Sequence, residues 1–355
     1  MATHSQDELN RILSHFDLAQ TNFGLSPLTN GYINDTYLVS EEKIPKYILQ
    51  RVNHLVFKNV VGLMANIDLA LKHLDSHDYA KIELIQTKMG SAYLEDHSGY
   101  WRIFSYIEDS TAYNTTTSPD IAFEAGRIIG NYHILLKKTI IDNYVDTIPQ
   151  FHSLHLREGQ FQEALTKAAA QKVSIAASAI GFAQNMLGQL KALENKKLPV
   201  RICHNDTKLN NILFSKKTNK ALCLIDLDTI MQGHFHFDFG DAIRTIANTA
   251  PEDEQEHGKI TFEKDLFEAF VKGLADNRPF LTQGEIQALP FGAVLMPFLH
   301  GIRALTDYLN NNIYYKVAYE NQNLDRCLSL FDFTQKAFLQ YSYMQQVTTA
   351  FLKPE

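Results

Sequence analysis

Apolar residues recur every three or four positions at Leu9, Ile12, Leu13, Phe16 and Leu18, so residues 7–19 predict an amphipathic helix. The period then falls to two. In "FGLSPLTNGYINDTYLVS" the alternation runs on both sides of Asn30-Gly31, a dipeptide that tolerates the positive φ angles of a tight turn, and predicts a β-hairpin. "KYILQRVN", residues 46–53, reads as a further strand, and Val60, Leu63, Met64, Ile67, Leu71 and Leu74 return residues 56–75 to helical spacing. Residues 82–107 form a second meander that turns at Gly90 and near Gly99. Ser118-Pro119 is a helix-start signal, and helices are predicted over 118–138, 157–194, 259–275, 283–310 and 323–347, with a hairpin at 212–227 between them. Strands therefore gather at the amino-terminal end and helices in the remainder. The expected fold is α+β, with a small β-rich N-terminal domain over 1–107 and a larger, mainly helical C-terminal domain over 108–355.

A chain of 355 residues is long for one core and comfortable for two lobes. A net charge of −7 speaks against nucleic acid as a partner, since such proteins carry a basic stripe. Cys203, Cys223 and Cys327 have no framework spacing and read as buried thiols in a reducing compartment. The amino-terminal stretch has no apolar signal core, and no run reaches the roughly eighteen apolar residues that a membrane span needs. A cytoplasmic protein without a membrane partner, monomeric or weakly dimeric, is expected. The charge run "PEDEQEHGK" at 251–259 reads as a solvated loop.

The chemistry concentrates in "RICHNDTKLNNILF", residues 201–214, where His204, Asp206, Lys208 and Asn211 spell HxDxKxxN. Phosphoryl transfer needs a carboxylate beside the attacking oxygen, a cation on the moving group and an amide oxygen on Mg²⁺, and one short loop between apolar flanks can present all three. His204 is expected to support the loop backbone of this catalytic set. The apolar strand "ALCLID" then ends in Asp226, a carboxylate placed to hold the same metal, and Asp228 could reach a second Mg²⁺ or solvent. Asp238-Phe239-Gly240 and Ala250-Pro251-Glu252 spell two signatures of protein kinases. The first begins 32 positions after Asp206 and only 12 before the second, so neither lies where a peptide kinase needs it. Asp238 and Asp241 are expected to brace the loop through backbone hydrogen bonds or to cap a helix over "AIRTIAN".

In the first domain the hairpin would cover a nucleotide, with Gly31 letting the backbone approach phosphate and Asn34 beside it. The Lys and Glu that protein kinases place on the next strand and helix are missing. Arg51, next to Gln50, is the nearest cation, and Asp68 is the acid deep in the helix. Backbone groups of Ser105, Tyr106 and Ile107 would face adenine if this strand leads into a hinge.

"HNDTKLNNILF", "CLIDLDTIMQG" and "DFGDAIR" together resemble the aminoglycoside phosphotransferase and choline kinase superfamily. Within it, "NGYINDTYLV", "YILQRVNHLVFKN", "IPQFHSLHLR" and "GIRALTDYLNNNIYYK" look most like the N-acetylhexosamine 1-kinases. The resemblance implies a bilobal protein-kinase-like fold, ATP and Mg²⁺ between the lobes, and a sugar phosphorylated at its anomeric oxygen. It implies Asp206 as base, Asn211 and Asp226 as metal ligands, and Arg303 with one of Tyr314 or Tyr315 at the sugar; Thr207, next to Asp206, is a further candidate for the substrate. Tyr32 stands where a sugar kinase of this group has His, so the acceptor stays open. A kinase of an amino alcohol or aminoglycoside would need carboxylates clustered beside the loop. A nucleotide-binding pseudokinase is the third reading, prompted by the missing Lys and Glu.

Overall fold

The structure is a computed structural model and describes residues 4–19, 23–28, 33–194 and 197–355. Its first part contains helix α1 (Gln6–Leu13), strands β1 (Gly24–Leu28), β2 (Asp35–Glu41) and β3 (Ile44–Val52), helix α2 (Val60–Leu71), and strands β4 (Leu84–Ile85), β5 (Leu94–Asp96) and β6 (Gly99–Ser105). The strands form one antiparallel sheet in the order β1-β2-β3-β6-β4, with β5 also on β6. β1 and β2 pair in register up to Leu28 and Thr36, so the predicted hairpin is present. Its turn, with Gly31 and Tyr32, lies outside the described residues.

Alternation gives this sheet two unlike faces. Tyr37, Val39, Leu49, Trp101 and Ile103 point outward and bury the apolar stripe of α1 in a small core of their own. Arg51 alternates with Leu49 onto that outer side. Gln50 and Arg102, paired across β3 and β6, point to the other face, where Arg102 Nη1 lies 3.9 Å from Met64 Sδ on α2. Helix α2 starts at Asn59, whose side chain accepts from the Gly62 N–H at 2.9 Å. Its buried residues Val60, Leu63, Met64 and Ile67 pack into the large core of the helical part, as do Tyr79 and Ile82. The apolar cores thus do not divide at residue 107. Asn66 joins the same helix to the second part, donating to the carbonyls of Val145 and Ile230 at 2.8 Å each and accepting from the Val145 N–H at 3.0 Å.

The second part begins with strand β7 (Ser110–Thr111) and helix α3 (Pro119–Leu136), which Ser118 caps. Helices α4 (Leu154–Lys167), α5 (Ala170–Ile175) and α6 (Ala177–Leu193) replace the single predicted helix over 157–194. The chain turns at Ala168-Ala169 and Ala176, where no Gly or Pro marks the break. Strands β8 (Arg201–Cys203), β9 (Ile212–Ser215), β10 (Ala221–Leu224) and β11 (Met231–Gly233) follow, with the predicted hairpin formed by β9 and β10. Helix α7 (Phe235–Ile246) takes in the letters Asp238-Phe239-Gly240, so they are helical and not a metal-binding loop. Asp241 lies inside α7 and caps nothing.

Helices α8 (Lys264–Ala275), α9 (Gln283–Leu309), α10 (Gln322–Leu339) and α11 (Tyr341–Phe351) complete the chain; the predicted helix over 323–347 is broken at Gln340. Contrary to the expectation that no run is long enough, α9 has the length and composition of a membrane span, yet it is the central helix of the core and is almost entirely buried. Helix α7 crosses it at backbone contact distance: a Cβ on Gly240 would sit 2.0 Å from the Gly292 carbonyl oxygen. Glycine at both positions sets this spacing.

Candidate active site

Strands β8 and β11 pair in register at Cys203 and Met231 and deliver the loop 204–211 between α7 and the β9–β10 hairpin. Asp238 takes up two of the loop's amides: its carboxylate accepts from the N–H of His204 at 2.9 Å and of Asn205 at 2.7 Å, and it also pairs with His133 Nε2 at 2.8 Å. The role expected of Asp238 as a loop brace is what the geometry provides. Asp241 instead pairs with Arg244 at 2.6 Å and His300 at 3.2 Å. Asn205 adopts left-handed backbone, φ 62°, and donates through Nδ2 to the Thr229 carbonyl at 3.0 Å. These bonds fix the backbone at the start of the loop, His204 and Asn205.

Two predicted site residues serve that scaffold and not the reaction. His204 is fully buried and donates through Nε2 to the Ile225 carbonyl at 2.9 Å, which ties the loop to the end of β10. Its support of the backbone matches the expectation, and it does not belong in the catalytic set. Thr207, expected near the substrate, is fully buried and donates its hydroxyl to the Asp238 carbonyl at 2.5 Å. It packs the loop onto α7.

The groups left for chemistry converge. Asp206 Oδ2 accepts from Lys208 Nζ and from Asn211 Nδ2, each at 2.8 Å. The N–H of Ile225 donates to the Asn211 carbonyl at 2.8 Å, which sets the Asn side chain beside the segment carrying Asp226. Asp226 holds a left-handed conformation, φ 62° and ψ 61°, at the end of β10. Its carboxylate reaches solvent, yet protein crowds it on most sides. That crowding, with Asp228 and then Asp206 close by, raises its pKa to about 6, against the opposite pull of Lys208 and Arg102. Burial would lower the Lys208 pKa, but Asp206 and Asp226 outweigh it and hold the ammonium charged.

Such an excess of carboxylate over cation suits a divalent ion, with Asp226 and the amide oxygen of Asn211 as hard oxygen donors. The other tight donor group, His133, Cys203 and Asp238, is fully buried, and its carboxylate is already consumed by the loop amides.

The first lobe reaches this site by an unpredicted route. Arg102, 0% exposed on β6, donates from Nε and Nη2 to Gln50 Oε1 at 3.1 and 2.8 Å and forms an ion pair with Asp228 at 2.5 Å. Asp228 is 2% exposed and accepts from Asn34 Nδ2 at 2.7 Å, so it faces neither solvent nor a second metal as expected. Asn34 in turn accepts from the Asn53 N–H at 3.0 Å; it braces the hairpin base. Arg51 is corrected outright. On the outer face it pairs with Asp35 at 3.1 Å and donates to the Ser98 carbonyl at 2.6 Å, away from the cleft.

At the proposed hinge, Ser105 and Tyr106 spend their N–H groups on the carbonyls of Glu83 and Lys46, while among the described residues the Ile107 N–H has no partner. An Arg inside "GYWRIFS" has the sequence signature of a solvated strand residue, which hid Arg102.

A second cluster lies against the other side of the catalytic loop. His152 donates through Nε2 to the Asn205 carbonyl at 3.2 Å, burial lowering its pKa to about 3, and its neighbour Phe151 lies under Arg303 at 5.3 Å. Arg157 donates to the Phe151 carbonyl at 2.7 Å; burial first, then Arg303, lowers it to about 10. Tyr314 and Tyr315 stack edge to face with centroids 4.8 Å apart, and both N–H groups donate to Asp307, at 2.8 and 2.9 Å. Arg326 lies over Tyr315 at 4.9 Å and pairs with Glu252 at 2.5 Å, which also pairs with Arg244. Glu252 therefore anchors this rim, where a solvated charge run was expected. Sequence reasoning missed Arg157 and Glu252, since both sit in stretches that read as polar surface.

Residues 24–269 match the Phosphotransferase enzyme family. Among solved structures, the chain is similar to spectinomycin phosphotransferase in complex with ADP and spectinomycin, with TM-score 0.62 and 11% identity over 98% of this chain and 100% of that one. It is also similar to a microcompartment-associated aminopropanol kinase, with TM-score 0.59 and 17% identity over 95% and 98%. A Plasmodium vivax ethanolamine kinase gives 0.62 and 12% over 93% and 90%. At these identities the likeness is one of fold, a β-sheet lobe over a helical lobe as in protein kinases. With well over half of its length matched, and with the HxDxKxxN loop and the Asp226 strand inside the match, the chain belongs to the Phosphotransferase enzyme family.

Proposed function

We propose that the protein transfers the γ-phosphoryl group of ATP to the anomeric hydroxyl of an uncharged N-acetylated hexosamine. The observation that carries this reading is the charge balance at the rim formed by Phe151, Arg157, Arg303, Tyr314 and Tyr315. The carboxylates there are already engaged: Asp241 by the charge of Arg244 with neutral His300 beside it, Glu252 by Arg244 and Arg326, and Asp307 by three N–H donors from Tyr314, Tyr315 and Asn323. Among the described residues, Arg157 and Arg303 have no carboxylate partner. Aminopropanol and ethanolamine, the acceptors named for two of the similar structures, are cations at neutral pH and would find no free carboxylate at this rim among the described residues. A sugar offers hydroxyl and amide oxygens to guanidinium donors and an apolar face to tyrosine rings.

In this reading Asp206 accepts a hydrogen bond from the attacking hydroxyl, and the anomeric hydroxyl, more acidic than an ordinary alcohol, needs only modest help. Lys208, held charged between Asp206 and Asp226, places its ammonium where the loose transition state spreads negative charge. A Mg²⁺ ion held by Asp226 and Asn211 would supply a Lewis acid for the phosphate oxygens. Buried Asp238 keeps the loop amides fixed, so Asp206 meets the acceptor without reorganising.

The experiment is a panel of hexosamines, amino alcohols and aminoglycosides with Mg·ATP, with the phosphate located by phosphorus NMR. Product at C1 of N-acetylglucosamine or N-acetylgalactosamine is expected. Phosphorylation of the amino alcohols alone, at C6, or of nothing in the panel despite nucleotide binding, would overturn the reading.

A further inference from the structure

Arg102 and Asp228 form an ion pair that the phosphoryl-transfer chemistry just described leaves unused. Burying both charges carries a large desolvation cost, and the pair is retained only where geometry and further hydrogen bonds compensate. Here they do. Gln50 accepts twice from the guanidinium, Phe104 lies beneath it at 5.0 Å, and Asn34 donates to the other Asp228 oxygen at 2.7 Å.

The partners come from three places. Arg102 and Gln50 belong to the inner face of the first-lobe sheet, and Asn34 to the base of the β1–β2 hairpin. Asp228 belongs to the turn at Leu227–Thr229 that follows Asp226 directly. Thr229 carries that turn on to the catalytic loop, donating to the His204 carbonyl at 2.7 Å.

We propose that Arg102 and Asp228 are positioning residues for the metal-nucleotide site. They hold the left-handed Asp226 turn against the sheet and the hairpin base, so that the carboxylate for the metal and the first-lobe sheet are set as one unit. Arg102 thereby serves from β6 a structural end that β3 does not serve with a lysine: Lys46 at the start of that strand pairs with Glu108, Gln50 stands at the inward position beside Arg102, and Arg51 faces out. Groups that orient a metal ligand without touching the metal commonly change metal affinity by about 10–100-fold. The inference rests on Asp226 as the metal ligand, and not on which acceptor the enzyme uses.

The test is calorimetric binding of ADP with and without Mg²⁺, together with thermal unfolding, on the full chain. Arg102→Met alone strands a buried carboxylate, so the informative protein is the double variant Arg102→Met, Asp228→Asn, with Arg102→Lys as a milder companion. The double variant is expected to unfold near the wild-type temperature and to bind Mg·ADP about tenfold more weakly, while metal-free ADP binds unchanged. Arg102→Lys, which keeps the charge but not the fork, is expected to fall between. Equal losses with and without Mg²⁺, or no loss in either variant, would overturn the proposal and leave the pair a fold element. Asp226→Asn run in parallel separates the premise: if it leaves Mg·ADP affinity intact, the metal-site assignment itself fails.

Discussion

The catalytic loop and the proposed acceptor rim meet where His152 bonds the Asn205 carbonyl, and they are built differently. In the loop, Asp238, Thr229, Ile225 and Thr245 bond the polar groups of His204, Asn205 and Leu209, which holds both ends of the stretch carrying Asp206 and Lys208. At the rim, Asn311 and Asn312 run through left-handed backbone with φ 67° and 57°, Ile313 and Tyr314 stand exposed, and the turn is gathered on Asp307, whose carboxylate accepts from Tyr314, Tyr315 and Asn323 and whose carbonyl accepts from the Asn312 N–H. The contrast teaches that the loop is set by a buried local scaffold, while the face proposed to choose the acceptor is an edge with exposed side chains. Substitutions in the two regions should therefore separate turnover from recognition.

The largest effects belong to the loop. Asp206→Asn should lower kcat by about 10²–10⁴-fold with little change in stability, as measured by steady-state kinetics and circular dichroism. Asp226→Asn and Asp238→Asn sharpen the contrast between the two aspartates. The first should abolish turnover yet leave the metal-free protein at least as resistant to heat, because the crowded Asp226 carboxylate is disfavoured when charged. The second should weaken the fold by about 3–5 kcal/mol in denaturant titration, since it breaks a buried charged network. The reverse pattern, normal turnover in Asp226→Asn and none in Asp238→Asn, would reverse the metal assignment.

Acid should loosen the scaffold next. Burial lowers His152 and His236 to about 3 and His300 to about 4, so all three are neutral in the folded protein near neutrality. The unfolded chain protonates them near pH 6.5, and it therefore binds more protons below that pH. Stability is full above about 6.5 and should fall by on the order of 3 kcal/mol for each of these histidines as pH drops toward 4, read from urea midpoints across that range. His300→Gln should flatten the curve, and an unchanged acid slope would show that His300 does not contribute.

The smallest effects belong to the rim. Arg303→Ala and Tyr315→Ala should each raise the acceptor KM about tenfold while the ATP KM stays put, since each removes about one hydrogen bond or ring contact. A kcat loss without a KM change would tie the rim to the scaffold and erase the comparison.

Legibility in the sequence followed the same divide. The loop, the strand ending in Asp226 and the β9–β10 hairpin could be read because their apolar flanks and polar spacing are local. The bracing role of Asp238 was also within reach. Its position inside α7 was not, because that helix begins at Phe235 behind His234, which makes no side-chain cap. Arg102 was hidden for a different reason. Its partner lies 126 positions away at Asp228, and nothing along a strand announces that a charge will be buried by a distant carboxylate. Arg51 was misplaced by one residue of alternation, which is all that separates the two faces of a sheet.

Asn66 bears on how such a protein can be switched or inhibited. In protein kinases the helix after the third strand swings, and both regulators and many drug-like ligands work by pushing it outward. In this chain one amide side chain fastens that helix to Val145 and Ile230 through three hydrogen bonds, and its apolar face is already part of the large core. A ligand that wedges behind α2 would have to break these bonds and open that core together. Compounds aimed at this enzyme should therefore be sought at the nucleotide cleft or the acceptor rim, and screens for helix-displacing inhibitors should come back empty.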